Sequence, residues 1–328
     1  MTVHSAQTSD VVELTIPLEY GGYRLDQALA ELLSDYSRSR LQQWIKEGQV
    51  LVDGVQIRPR DKLIGGEQVR VETDMVADER WLPENIPLDI VFEDEDLLVI
   101  NKPAGLVVHP AVGNVDGTLL NGLLHYDAAL AQMPRAGIVH RLDKETSGIM
   151  VVAKSLRAQT SLVEQLQTRS LSRQYMCVVQ GVMTAGGTVD APIGRHPVER
   201  KRMAVVDSGR EAVTHYRVAD RYRAHSLVSV SLETGRTHQI RVHMAHIHYP
   251  IVGDPVYGGR LRTPPGCSES FIQVLHQFRR QALHAFRLGL IHPATDEEMS
   301  WEVPLAEDMQ QLIRAMQQDR QEHKVQQR

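Results

Sequence analysis

The chain has 328 residues, 42% hydrophobic and 23% charged, an ordinary globular composition with room for two domains and at least one sizeable core. No apolar run approaches the roughly 20 residues of a membrane span, and the N-terminal "MTVHSAQTSDVVELTIP" lacks the basic-then-apolar layout of a secretory signal. Two cysteines, Cys177 and Cys267, without metal-ligand spacing, lead us to expect a reduced, cytoplasmic protein with neither disulfide frame nor zinc ribbon.

The first elements are legible from residue 24. "RLDQALAELL" sets Leu25, Ala28, Leu29 and Leu32 on one helical face. "SRSRLQQWIKEG" predicts a second helix, capped by Ser37 or Ser39, burying Leu41, Trp44 and Ile45, and stopping at Gly48. "QVLVDGVQIRP" reads as a tight hairpin turning at Asp53-Gly54, and "DKLIGGEQVRVE" as another pair of short strands. Arg38, Arg40, Lys46, Arg58, Arg60 and Lys62 would give this unit, residues 13–74, a basic edge. It resembles the S4 RNA-binding domain, with a small helical adaptor as the bland alternative.

Residues 75–88 are acidic, hold two prolines and show no period, so they read as a linker. A second domain is expected over residues 89–316. "DIVFEDEDLLVINKP" is a hairpin, "TLLNGLLHYDAAL" a helix, "SGIMVVAKS" a buried strand, "RAQTSLVEQLQTR" a helix and "LSRQYMCVVQGVM" a strand. "THYRVADRYRAHSLVSVSLETG" is a further hairpin, "RTHQIRVHMAHIH" a short helix, and "ALHAFRLGLIHP" pairs with "EMSWEVP". Residues 305–323 suit a last helix, and the tail 317–328 is expected to fray into disorder. Strands joined mostly by hairpins predict an α+β fold on a mainly antiparallel sheet.

Net charge is −5, which argues against a protein that coats nucleic acid indiscriminately. Its distribution is uneven. Residues 135–260 hold 18 Lys and Arg against 10 Asp and Glu, whereas residues 74–96 hold one Arg against nine acids. A basic middle suits a localised polyanion site, although uneven charge on a solvated surface reads the same.

"GIVHRLDKETSGIMVVAK" runs a buried strand straight out of a charged cluster, with Asp143 at its mouth. A carboxylate drawn out of water needs a cation beside it to stay ionised, and Arg141 stands two positions away. A turn aspartate capping "KETSG" is the structural alternative. A glycosidase needs two facing carboxylates, and Asp143 and Glu145 alternate faces in an extended stretch. A kinase would show contiguous His-Arg-Asp, but Leu142 intervenes; Gly-x-Ser-x-Gly and the Walker A loop are missing too. His238, His243, His246 and His248 raise a zinc hypothesis, but there is no HExxH. The interleaved Arg and His look more like an anion-facing helix, so no metal is expected.

"HRLDKETSG", "QY" and "ETGRTHQIRVHMAHIHYPIVGDPVYGG" together resemble the RluA-type family of pseudouridine synthases, over roughly residues 90–300. The resemblance implies isomerisation of uridine to pseudouridine, with no cofactor and no metal, because no atom is gained and no redox change occurs. It implies Asp143 as the catalytic aspartate, attacking C1′ or removing the 2′ proton, with both routes open. It implies Tyr175 stacking on uracil and assisting C5 deprotonation, Arg241 pairing with the aspartate, and Arg141 contacting or replacing the flipped nucleotide. Leu142 and Ile240 would wall the pocket, with His140 and Arg236 among the substrate-binding residues. Within the family the likeness is strongest to an enzyme of large-subunit (23S) ribosomal RNA. That implies several uridines of one stem-loop (helix 69), a role in ribosome assembly within large-subunit particles, and a cytoplasmic monomer. A non-catalytic S4-bearing assembly factor and a hydrolytic nucleosidase remain the alternative readings.

Overall fold

A computed structural model describes residues 10–33, 38–73, 81–111, 113–199 and 202–326. Two main hydrophobic cores organise them, one over residues 16–71 and one over residues 97–316, beside a small third cluster of Ile193, Ala212, Val242 and Tyr257. In the first, β1 (Asp10–Thr15), α1 (Leu25–Leu32), α2 (Arg38–Glu47), β2 (Val50–Val52) and β3 (Gln68–Thr73) form two helices on an antiparallel sheet of order β1-β3-β2. Leu25, Ala28 and Leu29 of α1 meet Leu41, Trp44 and Ile45 of α2 over Val50, Val69 and Val71, the faces that the helical spacing predicts. Asp53 (φ 49) and Gly54 (φ 78) make the tight turn, with both residues left-handed as a two-residue hairpin loop requires.

The hairpin is minimal, bridging only Val52 and Val55, and of the two short strands expected after it only β3 forms. The Glu67 carboxylate accepts the backbone N–H groups of Ile64 and Gly65, so a side chain takes donors that a ladder would otherwise use. Ser37, the Arg40 side chain and residues 74–80 lie outside the described residues. The rest of the expected linker, residues 81–88, is not free. It lies along the first helix of the second part, where Asn121 donates to the Leu82 carbonyl and Glu84 N–H donates to the Asn121 carbonyl.

That second part has nine strands in one sheet. In chain order its elements are β4 (Ile90–Glu93), β5 (Leu97–Lys102), α3 (Leu119–Tyr126), β6 (Ser147–Ala153), α4 (Leu156–Gln167), β7 (Ser172–Gln180) and β8 (Gly187–Asp190). The small pair β9 (Ile193–Arg195) and β10 (Met203–Val205) stands apart as its own sheet. Then come β11 (Val213–Arg221), β12 (His225–Leu232), α5 (Gln239–His246), α6 (Glu269–Gln277), β13 (Leu283–Ile291), β14 (Glu298–Glu302) and α7 (Glu307–Gln326). The sheet order is β4-β5-β6-β13-β7-β12-β11-β8, with β14 pairing β13.

Every neighbouring pair in this sheet is antiparallel except β6 and β13, which run parallel over His284↔Ser147 and Ala285↔Gly148. The fold is thus α+β on a mainly antiparallel sheet. Gly148 (φ 117) is required at this junction, because a Cβ there would stand 2.1 Å from the Ala285 carbonyl oxygen. All seven residues of β6 are buried, as is Thr146 before them, and the chain leaves the core at residues 143–145. The cleft described below opens at that exit.

The tail departs from expectation. α7 continues through residues 317–326, where Asp319 pairs with Arg223 and Arg320 with Asp220 of the β11–β12 hairpin. Its polar composition resembles a frayed end, but the charges have partners on the sheet.

Candidate active site

Loop residues 139–146, β7, the 232–238 segment and the start of α5 enclose a cleft of about 570 Å³. His140, Arg141, Leu142, Asp143, Tyr175, Arg236, Ile240 and Arg241 all line it. Residues 98 positions apart in sequence meet there: Arg241 Nη1 donates to Asp143 Oδ2 at 2.9 Å. Asp143 keeps about a fifth of its side chain exposed, whereas Arg241 is buried.

Arg241 does not belong to Asp143 alone. Its Nε and Nη2 donate to Asp254 at 2.7 and 2.9 Å, a two-pronged pairing that fixes the plane of the guanidinium. Asp254 is itself buried and also accepts the N–H groups of Val256 and Tyr257. Burial pushes its carboxyl pKa up, but Arg241 and those two N–H groups outweigh it and hold it below the usual range. The Tyr257 ring lies under the Arg241 guanidinium, 5.1 Å from its centroid. The Asp143 carboxylate is therefore held at one oxygen by a cation that others keep in place, and its second oxygen is open to the cleft.

Tyr175 comes from β7, opposite Ala285, where the register of β13 slips by one residue. Its side chain is buried. Burial, supported by the charge of Asp143 and opposed by Arg173, raises the phenol pKa, so it stays neutral at physiological pH. Leu142 and Ile240 are buried packing residues. His140 acts on the backbone: its Nε2 accepts the Val151 N–H at 3.1 Å, tying the loop to β6. Burial, reinforced by Arg173, takes its pKa to about 3, so the ring is neutral.

Arg141 points outward and is exposed at the rim. Arg236 donates to the Glu211 carbonyl and, through its backbone N–H, to Gln239. Arg169, Arg173 and Arg210 also line the cleft, which is strongly cationic as a result. In the N-terminal unit, Lys46, Arg58, Arg60 and Lys62 are exposed, but Arg38 is bonded to the buried Asp26.

α5 is not anion-facing along its length. Gln239 to Met244 are all buried, and His243 is spent on Thr214 Oγ1 and the Ala191 carbonyl at 2.8 and 2.9 Å. Only the N-terminal end of the helix, with His238 and Arg241, meets the cleft. Among the described residues no group of three His, Cys, Asp or Glu is placed to hold a metal.

Three residues of this site were not singled out by sequence reasoning. Asp254 and Tyr257 stand in "VGDPVYGG", where alternating Gly, Pro and one acid read as a turn. Lys102, in "VINKP", reads as the polar end of a strand. Its buried ammonium donates to the carbonyls of Pro103, Leu106 and Lys144 at 2.7, 2.9 and 3.1 Å, fastening the Asp143 loop to the end of β5. Burial pulls its pKa down to about 7 against the pull of Glu145 and Asp143.

Comparison with known proteins finds relatives of both parts of the chain. The RNA pseudouridylate synthase family model covers residues 96–246, and the S4 domain model covers residues 24–69. Ribosomal large subunit pseudouridine synthase D of Pseudomonas aeruginosa is 59% identical over 95% of this chain and 98% of its own. The protein of that name from Escherichia coli K12 is 58% identical over 92% of this chain and 93% of its own. Among solved structures, human RNA Pseudouridylate Synthase Domain Containing 4 superposes with a TM-score of 0.53 at 30% identity, covering 70% of this chain and 93% of that one. With both domains matched in order and relatives nearly 60% identical over most of the chain, the chain belongs to the RNA pseudouridylate synthases of the RluA type and is a pseudouridine synthase.

Proposed function

We propose that the chain isomerises uridines of large-subunit ribosomal RNA to pseudouridine, with Asp143 as the reacting carboxylate. The observation that carries this reading is the one aspartate in an arginine-lined cleft, restrained at Oδ2 by Arg241 and open at Oδ1, while the other acid there, Glu233, is taken up by Arg169 and His215. The relatives' names supply the RNA class. Several uridines of one stem-loop, helix 69, within an assembling large-subunit particle in the cytoplasm, complete the reading, with the enzyme acting as a monomer.

In the reaction the N1–C1′ bond breaks, the base turns, C5 bonds to C1′, the C5 proton leaves and N1 gains one. Asp143 serves this either by attack on C1′ or by taking the 2′ proton. The atoms balance without a redox partner, so the reading needs no cofactor and no metal. Tyr175 offers a neutral ring for the uracil to stack against, and in this reading its hydroxyl assists removal of the C5 proton. Arg141, exposed at the rim, takes the flipped nucleotide or its place in the stack, since a paired uridine must first be extruded. Leu142 and Ile240 wall the base, His140 holds the loop, and Arg236 with its neighbours meets phosphates. Residues 13–74, through Lys46, Arg58, Arg60, Lys62 and the Arg38–Arg40 helix start, hold RNA further out, and residues 89–316 form the catalytic domain.

A non-catalytic assembly factor would have no use for the Asp143–Arg241–Asp254 chain. Replacing Asp143 with Asn tests the proposal. The near-isosteric amide should abolish pseudouridine formation in ribosomal RNA of complemented null cells, while RNA affinity stays within about twofold. Turnover within tenfold of wild type removes Asp143 from the mechanism; full complementation of a growth or assembly defect without modification favours the binding factor.

A further inference from the structure

His238 is, with Arg169, one of two described non-glycine residues at the cleft that hold a left-handed backbone, a state that their types rarely adopt. It is left-handed (φ 57, ψ 22) at the residue before α5, which turns its imidazole towards Asp143. A non-glycine residue stays in that conformation only where its surroundings demand it. Its Nε2 lies 4.0 Å from Asp143 Oδ1, the oxygen that Arg241 leaves open. Its Nδ1 lies 2.9 Å from the Tyr257 hydroxyl.

The tautomer follows from where hydrogens can go. The Tyr257 oxygen already accepts the Met203 N–H at 2.9 Å. Its own hydrogen then has Nδ1 of His238 as partner, which makes Nδ1 the acceptor and places the ring proton on Nε2. An N–H dipole directed at a carboxylate oxygen attracts it, whereas a lone pair in the same place repels it. At 4.0 Å the contact is an orienting one rather than a hydrogen bond. The groups facing the imidazole are Asp143, Arg241, Asp254, Arg141 and Tyr257. Burial keeps it neutral, against the pull of Asp143.

We infer that His238 is a positioning residue for the reacting carboxylate, fixed by the Tyr257 hydroxyl as the neutral Nε2–H tautomer so that a donor faces Asp143 Oδ1. Tyr257 thereby serves both carboxylate oxygens, Oδ2 through the ring under Arg241 and Oδ1 through the hydroxyl on His238. This role for His238 rests on Asp143 as the reacting group.

Tyr257→Phe removes the hydroxyl and keeps the ring. In full-length enzyme labelled with ¹⁵N-histidine, the His238 resonances, identified by their loss in His238→Gln, should show protonated Nε2 and bare Nδ1. Tyr257→Phe should mix the tautomers. Its single-turnover rate at saturating RNA should fall about tenfold or more, with RNA affinity unchanged. His238→Gln offers an amide donor with no tautomer to choose, so it should keep most of the rate, and adding Tyr257→Phe to it should cost less than threefold. His238→Leu should lose at least as much as Tyr257→Phe. Three results overturn the inference: a proton on Nδ1 in the wild type, wild-type rate in His238→Leu, or an equal loss from Tyr257→Phe in both backgrounds. The NMR arm reads the tautomer without turnover, so an active Asp143→Asn would discredit the reacting-carboxylate role while leaving the tautomer assignment standing.

Discussion

Asp254 receives two nitrogens of Arg241, at 2.7 and 2.9 Å, and is fully enclosed as it does so. The reacting side of the guanidinium is what remains. Asp143 is thus served by a cation whose position it does not determine, and the two carboxylates differ in burial although they share one arginine.

Asp254→Asn should therefore damage both stability and rate. Removing one partner of a buried pair costs about 3–5 kcal/mol, readable in urea unfolding. The carboxyl pKa is depressed in the folded state, so its contribution is present at neutral pH and fades as pH falls below the ordinary carboxylate value of about 3.9. Wild type should lose stability on that descent, and the variant should lose less.

Arg241→Met retains much of the volume and removes the counter-charge. Asp143 then loses the donor that holds Oδ2, so the single-turnover rate at saturating RNA should fall about tenfold or more while RNA affinity changes little. Arg141→Met, at the exposed rim, should instead weaken productive base extrusion, raising the RNA concentration needed for half-maximal rate. A wild-type rate at saturating RNA in Arg241→Met would separate the ion pair from the chemistry.

Asp26 anchors the N-terminal unit. Its buried carboxylate accepts from Arg24, Arg38 and Gln42, and although burial raises its pKa, those donors hold it below the usual value. Its stabilisation is present above about pH 3.9 and is lost as pH falls further. Asp26→Asn should cost this unit about 1–3 kcal/mol at pH 7, less than a fully buried pair because both arginines reach water. Unfolding followed by Trp44, which is buried in that core, reports it once Trp81 and Trp301 are replaced.

Deleting residues 1–74 should weaken RNA binding and flatten its salt dependence, by about 0.7–0.9 in log–log slope for each phosphate that is no longer neutralised. Single-turnover chemistry at saturating RNA should persist. An unchanged slope would show that this unit does not touch RNA.

Much of this architecture can be read from residue order, because its parts obey local rules. α1, α2 and the Asp53-Gly54 turn follow from spacing and backbone freedom, and the hairpins β4–β5, β11–β12 and β13–β14 from alternation between turns. Strands of three or four residues, such as β9 and β10, are too short for a period to show. The site divides along the same line. Asp143 stands out because a charged cluster precedes an entirely apolar strand. Asp254 and Tyr257 do not, because their work depends on a guanidinium that folding delivers from α5. Lys102 is hidden for a related reason: three carbonyls solvate its ammonium, and carbonyls leave no mark in a sequence. The polar residues of α7 suggested fraying since their partners, Asp220 and Arg223, lie about a hundred positions away.

The position of β13 bears on how the protein comes into being. Residues 283–291 lie between β6 and β7, pairing one on each side, although both of those strands leave the ribosome more than a hundred residues earlier. Until β13 is synthesised, β6 and β7 each present an open edge, and the wall carrying Tyr175 is registered on one side only, against β12. A nascent chain stopped at residue 280 would hold the aspartate loop, the tyrosine and the arginine, yet lack the strand that brings its two halves together. Such a chain should be open to limited proteolysis and unable to isomerise uridine even where its N-terminal unit holds RNA, so that activity arrives only once β13 has been made.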